Sequence, residues 1–309
     1  MADPMREAER RRKSTPTVKS FEEQFGDDVS PVGAQLIKDR EVLKKISGST
    51  LPAPVETRII AVANQKGGVG KTTTAVNIAA SLALGGLKVL VIDSDPQGNA
   101  STALGIEHTS GTPSLFSVIT QELSINDVTK KNPQIDNLWV VPSTIDLSTA
   151  EMSLMLEDER EYRLKHAIDQ IPKDFDYIII DCPPSLSLLT LNSLVAAKEV
   201  LIPIQTEYYA LEGLTQLVNT IQAVRESTNS TLTISTIILT MYDKRTNLAN
   251  EVAREVRSYF PDQTLETVIP RNVKISEAPS HEQTVLTYDP RSSGAVAYLA
   301  AAHEIAHRA

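Results

Sequence analysis

Apolar positions in this 309-residue chain are grouped in two ways. Short unbroken runs recur, first in the stretch 58–63 around Ile59-Ile60-Ala61-Val62, then at Val89-Leu90-Val91-Ile92 and Tyr177-Ile178-Ile179-Ile180. Such runs are too short to cross a bilayer and have the character of strands buried on both faces of a parallel sheet. Strands are predicted near 88–92, 138–141, 177–181, 200–204, 234–240 and 267–269. Helical patterns separate them: an Ala-rich stretch over 73–84, then stretches near 160–170, 211–226 and 248–258. This alternation implies an α/β fold with right-handed crossovers, a doubly wound, mostly parallel twisted sheet carrying helices on both faces. Ligand loops then gather at the carboxyl ends of the strands.

Residues 1–57 read differently. Arg10-Arg11-Arg12-Lys13 followed by Ser, Thr and Pro has too few apolar side chains to fold alone and reads as disordered. Near 30–46 the pattern turns helical: Ser30 can cap, Pro31 suits the first helical position, and Val32, Leu36, Leu43 and Ile46 recur near helical spacing. Residues 48–54 read as a linker. The expected organisation is an extension over 1–57 and one domain over 58–309. A single helix is too little for a helix-turn-helix reader of DNA sequence.

Composition narrows the setting. The net charge of −9 excludes a protein that coats nucleic acid over its whole surface, so any DNA contact must be a local basic patch on an otherwise acidic molecule. The N-terminus is charged and has no apolar h-region, which points to a cytoplasmic protein. One cysteine, Cys182, cannot form an intrachain disulfide; beside Asp181 it suits a small packed side chain in a reducing compartment rather than a reactive thiol.

The most specific signal is Lys66-Gly67-Gly68-Val69-Gly70-Lys71-Thr72-Thr73-Thr74, between the first strand and the Ala-rich helix. A polyphosphate needs closely approaching backbone N–H groups, which Gly67, Gly68 and Gly70 permit, and a helix N-terminus whose dipole favours negative charge. Lys71 is placed for the β- and γ-phosphates, the Thr72 hydroxyl for Mg²⁺, and Thr73 for the α-phosphate. The usual pattern fails at its first position, where Gln65 replaces glycine and a second lysine, Lys66, follows. Further along, Asp93 and Asp95 sit two apart at a strand end, where capping a turn is the ordinary alternative to catalysis. Asp181 also ends an apolar strand, where a carboxylate contacts Mg²⁺ or caps the next helix. Pro270-Arg271-Asn272 follows another strand, and the Asn272 amide offers the donor and acceptor that suit an adenine edge.

Together with the blocks 93–99, 176–185, 207–213 and 268–273, the segment Lys66-Gly67-Gly68-Val69-Gly70-Lys71-Thr72 resembles the ParA/Soj/MinD ATPases with a deviant Walker A motif, and among them the chromosomal partition proteins. The likeness runs from residue 59 to the C-terminus. It implies a P-loop ATPase using ATP and Mg²⁺, with Gly67 to Thr73 and Val69 in the cradle and Pro270 and Asn272 at the base. It implies that Lys66 crosses a homodimer to the partner's ATP, that Asp95 positions the attacking water, that Asp93 lies near lysine and metal, and that 183–185 form a switch. Family members bind DNA without sequence preference when dimerised by ATP, and a ParB-type partner stimulates their slow hydrolysis. Here the candidates are Lys244, Arg245, Arg271 and Lys274, which are otherwise ordinary solvated charges, and nucleoid association follows from them. A MinD-like membrane ATPase would end in an amphipathic helix with basic residues flanking bulky apolar ones, whereas residues 295–309 are mostly alanine. An iron-sulfur relative needs more cysteines, and a metabolic ligase on this fold needs a substrate pocket for which no motif is present.

Overall fold

The computed structural model describes residues 31–46, 50–171, 174–208 and 210–308. The polar stretch 1–30, with its Arg-Lys run and the capping Ser30, lies outside them. The chain divides into two units, Met1–Glu41 and Val42–Ala309. Helix Pro31–Ile46 spans that division. All other described elements belong to the second unit, whose sheet and helices are as follows.

Eight strands form one sheet: β1 (Arg58–Val62), β2 (Val89–Asp93), β3 (Lys130–Lys131), β4 (Leu138–Val141), β5 (Tyr177–Asp181), β6 (Glu199–Gln205), β7 (Thr233–Tyr242) and β8 (Thr264–Pro270). Their order is β3-β4-β2-β5-β1-β6-β7-β8. Every pairing is parallel except β3 with β4 at one edge. The doubly wound, mostly parallel sheet is therefore as expected, with one short antiparallel edge strand that its two lysines did not announce.

Period-2 alternation divides the apolar side chains between two cores. Ile60, Val62, Val89, Val91 and Ile179 point to one face, where helices Lys71–Leu84 and Ser293–His307 cover them through Ile78, Leu82, Tyr298 and Ile305. Ala61, Leu90, Ile92, Ile178, Ile180 and Ile202 point to the other, under helices Leu188–Ala196, Ala210–Ser227 and Asn247–Tyr259. Burial on both faces is why these strands read as unbroken apolar runs. The Ala-rich terminal helix spends its apolar side chains on the core. Among the described residues no helix is long and apolar enough to cross a membrane.

The stretch 48–54 carries an anchor: Leu51 is buried, its N–H donates to Gly85 O at 3.0 Å, and its side chain covers Gly85, where a Cβ would collide with it. At the sheet's amino edge, Arg58 makes a bidentate bond with Glu199 at 2.6 and 2.7 Å and donates to Ile305 O at 2.9 Å. One guanidinium thus ties β1, β6 and the terminal helix. Burial alone would raise the Glu199 carboxyl, but hydrogen bonds from Arg58 and Ser235 and the Arg58 charge hold it below its ordinary value.

Candidate nucleotide site

Strands β1, β2 and β5 lie side by side at the sheet's centre, and Asp181 registers with both Val62 and Asp93. Their carboxyl ends therefore bring the loop 63–70 and the carboxylates of Asp93 and Asp181 to one crevice. The loop is tied down before it turns. Ala63 N–H donates to Leu201 O at 3.1 Å, the Asn64 amide donates to Pro203 O at 2.8 Å, and Asn64 Oδ1 accepts from Lys66 N–H at 3.0 Å. On its far side Val69 O accepts from Thr240 Oγ1 of β7 at 2.8 Å.

Two glycines are required by backbone conformation. Gly68 and Gly70 have φ of 75° and 90°, a region where an L side chain is strained. Gly70 is also the N-cap of helix Lys71–Leu84, and no side chain covers that end. The first N–H groups of the helix are thus free for an anion, with the helix dipole behind them. Gln65, in the place of the usual first glycine, reaches instead to Thr220 of helix Ala210–Ser227 at 3.4 Å.

Lys71 folds back over the loop, its ammonium donating to Lys66 O at 3.1 Å. Burial lowers its pKa from the ordinary lysine value, while the charges of Asp181, Cys182 and Asp95 act in the opposite sense. Lys66 points elsewhere: its ammonium pairs with Glu207 at 3.2 Å, and the Gln205 amide donates to the other Glu207 oxygen. Only one of the two lysines therefore occupies the cradle of its own chain.

The three aspartates are unlike one another. Asp181 is fully buried and neither carboxylate oxygen has a hydrogen-bond partner of ordinary geometry. Burial and the charge of Asp93 raise its pKa, opposed by the Thr72 hydroxyl and Lys71. An orphaned, buried carboxylate beside a hydroxyl and a phosphate cradle fits a hydrated divalent cation, which needs few protein ligands there. Asp93 is committed to its own loop. Its Oδ2 accepts from Ser101 N–H at 2.8 Å and Ser101 Oγ at 2.7 Å, and its Oδ1 from Asp95 N–H at 3.2 Å. Asp95 is 8% exposed and caps the turn through Gln97 N–H at 3.0 Å. That turn closes on Gly98, whose φ is 64° and against which the His108 ring packs so closely that a Cβ would sit 2.6 Å from Nδ1. Cys182 is buried and its thiol is pushed up to about 12 by burial, which suits the packing role expected of it.

Asn272 serves as N-cap of helix Val273–Glu277: its Oδ1 accepts from Lys274 N–H at 2.8 Å and its amide donates to Ser293 Oγ at 2.9 Å. Pro270 registers with Tyr242, and Arg271 N–H donates to Tyr242 O at 3.4 Å. The loops after β7 and β8 thus meet, bringing the exposed Lys244, Arg245 and Arg271 to one edge. Arg245 is held bidentate by Asp243 at 2.7 and 2.9 Å. Hydrogen bonds from Arg245, with a smaller pull from the Arg271 charge, lower the Asp243 carboxyl to about 2. Lys274 pairs with Glu277 at 2.9 Å and lies 5.5 Å over the Tyr288 ring. Sequence reasoning passed over Asn64 and Ser101 and took Glu207 only as part of the block 207–213, without a role; each acts on a partner through tertiary contact or loop geometry.

The family described as an AAA domain matches residues 57–234. The sporulation initiation inhibitor protein Soj of Bacillus subtilis is 51% identical over 81% of this chain and 98% of its own length. The chromosome partitioning protein ParA of Myxococcus xanthus is 49% identical over 81% of this chain and 88% of its own. Among solved structures, one described as cobyrinic acid a,c-diamide synthase of Mycobacterium smegmatis with bound ADP and magnesium superposes with a TM-score of 0.68. It is 37% identical and covers 79% of this chain and 91% of its own.

Proposed function

Because the chain belongs to the Soj/ParA family of chromosome-partitioning ATPases, with ATP and Mg²⁺ as its nucleotide and metal, we propose that it is a nucleotide-switched dimer that carries cargo over DNA. Lys71 and the free N–H groups of the Gly70-capped helix hold the phosphates. Thr72 and Asp181 hold Mg²⁺, which supplies charge neutralisation on the phosphate oxygens. Asp95, at the mouth of the crevice, positions the attacking water, since phosphoryl transfer depends chiefly on positioning and charge. Asp93 orients the Asp95 loop through Ser101. Asn272 and Pro270 border the base. Lys66 reaches the nucleotide of a second copy, and the dimer binds nucleoid DNA through Lys244, Arg245 and Arg271, with Lys274 at the margin. A ParB-type partner accelerates hydrolysis and release. The organisation that goes with this reading is an extension over 1–57 and an ATPase domain over 58–309.

One observation carries the reading: a complete cradle already filled by Lys71, beside a second lysine held out of it by Glu207. Sedimentation with ATP, Mg²⁺ and DNA tests it. Wild type and Asp95→Ala are expected to sediment as DNA-bound dimers, the latter persistently, and Lys66→Ala and Lys71→Ala as free monomers. An Asp95→Ala protein that stays monomeric in saturating ATP and Mg²⁺ refutes it.

The 37% identity to a protein described as a synthase favours a second reading, transfer of phosphate to a small acid. ATPase activity that rises with DNA and a ParB-type protein supports partition; activity that rises only with a small-molecule acid supports the synthase reading.

A further inference from the structure

The last turn of helix Ser293–His307 reads His303-Glu304-Ile305-Ala306-His307. Histidines four apart on a helix are neighbours on one face. With glutamate after the first of them, the spacing is the one by which a helix presents two imidazoles to zinc, the glutamate serving as general base where such a site is hydrolytic. Here the two imidazoles meet the requirement and the glutamate does not.

Ala302, Ile305 and Ala306 take the buried side of the turn, which leaves His303 half-buried and His307 exposed on the outer side. The ring centroids lie 4.1 Å apart, with 23° between the planes. Two nitrogens on one zinc ion, each about 2.1 Å from it, are no more than about 4 Å apart, so the rings already stand at a chelating separation. His307 Nδ1 is 2.8 Å from His303 O. A carbonyl only accepts, so Nδ1 carries the proton and Nε2 keeps its lone pair. A backbone carbonyl fixing the tautomer in this way is the usual support of a metal-binding histidine.

Glu304 is turned to other work. Its Oε1 accepts from Glu266 N–H at 2.8 Å and from Arg308 at 2.6 Å, and its Oε2 accepts from Thr267 N–H at 3.1 Å. Both oxygens thus lash the helix to β8, and neither is left to take a proton from a metal-bound water. Among the described residues no third His, Cys, Asp or Glu joins the pair, so water completes the coordination. Imidazole suits zinc, nickel and copper ions, whereas Mg²⁺ takes oxygen ligands.

We propose that His303 and His307 chelate a divalent late transition-metal ion of the zinc class, and that the ion pins the terminal turn without hydrolytic chemistry. Arg58, the first residue of β1, donates to Ile305 O at 2.9 Å, whereas the phosphate loop follows the last residue of that strand. The pair therefore lies at the opposite end of the sheet from the nucleotide crevice and stands whatever that crevice binds.

The test is a calorimetric titration of the full chain, without an affinity tag or nucleotide, with Zn²⁺ in excess Mg²⁺, which competes for the carboxylates of the crevice. One ion per chain is expected, with an affinity about tenfold or more lower in His303→Ala and in His307→Ala. His281→Ala, which removes a histidine stacked instead on Tyr288, is expected to bind as wild type does. Zn²⁺ is expected to raise the melting temperature of wild type and not that of the two pair variants. Metal-free melts check that each variant is folded, and the exposed His307 is the safer of the two to remove. No saturable binding, or equal affinity in wild type and both pair variants, overturns the proposal. So does half an ion per chain with a zinc-dependent dimer, which would move the site between copies. Zinc-dependent cleavage of casein that disappears in Glu304→Gln would make Glu304 a base and overturn the assignment to binding alone. The Lys66 and Asp95 sedimentation results stand or fall separately from all of these.

Discussion

Lys66 is held by Glu207 across a 3.2 Å ion pair, outside the cradle that its own loop forms. The side chains are 33% and 47% exposed, so the pair is a light restraint, worth roughly 0.2–1 kcal/mol. Asn64 fixes the backbone on one side of Lys66 through Pro203, and Glu207 follows the same strand, β6, by two residues. Loop and restraint are thus mounted on one support.

Glu207→Gln is expected to release Lys66 and strengthen ATP-dependent self-association by up to about fivefold, the equivalent of ~1 kcal/mol. Sedimentation equilibrium against ATP concentration measures it. A weaker dimer in Glu207→Gln would mean that Glu207 supports the closed state instead.

Asp95→Ala is expected to lower the rate of ATP hydrolysis by about 10²–10⁴-fold while leaving nucleotide binding in place, since the cradle does not include Asp95. Single-turnover hydrolysis and a nucleotide-binding titration separate the two effects. The cap on Gln97 N–H is lost as well, so Asp95→Asn, which keeps an acceptor there, checks that the loss is chemical.

Asp181→Asn removes a buried carboxylate whose oxygens lack a hydrogen bond of ordinary geometry and is expected to melt no lower than wild type without ligand. With ATP and Mg²⁺ at about 100 times the dissociation constant, wild type gains ~2.7 kcal/mol by mass action. The variant is expected to gain only what ATP gives without metal. Thermal melts with and without Mg²⁺ report both.

Glu199→Gln leaves the partly buried Arg58 without its counter-charge and is expected to cost about 1–3 kcal/mol at neutral pH. The sign of its pH dependence follows from the lowered Glu199 pKa. Its stabilisation is fully present above the unfolded glutamate value of about 4.3 and is lost as pH falls through the lower folded value. Denaturant melts at pH 7 and pH 3.5 should therefore show a wild-type advantage that narrows in acid.

Asp243→Asn unclamps Arg245 and is expected to tighten DNA binding, whereas Arg245→Ala and Arg271→Ala weaken it equally on any sequence. Each arginine lost should reduce the slope of log affinity against log salt by about 1. Filter binding over a salt series gives both numbers, and unchanged slopes would place the DNA face elsewhere.

How legible was this molecule in its residues? Strands such as Val89–Asp93 and Tyr177–Asp181 were plain because burial on both faces leaves no polar position to interrupt the run. The cradle was plain because its glycines answer a local backbone demand. The edge strand Lys130–Lys131 was invisible, since two charged residues carry no periodicity. The partners of Lys66 and Asn64 lie 141 and 139 positions away, where only the folded sheet brings them near. Asn272 and Asp93 show a subtler limit: side chains read for ligand chemistry also complete local turns, through Lys274 N–H and Ser101.

The burial of Cys182 has a practical outcome. Thiol reagents attack the thiolate, and burial both closes off the Cys182 sulfur and pushes its pKa up, so far less of that form is present at pH 7 than for an ordinary surface cysteine. With one cysteine in the chain, a dye placed by mutagenesis on the turn 183–185 would report alone, and distances between two such dyes in a dimer could be followed without first deleting a native thiol.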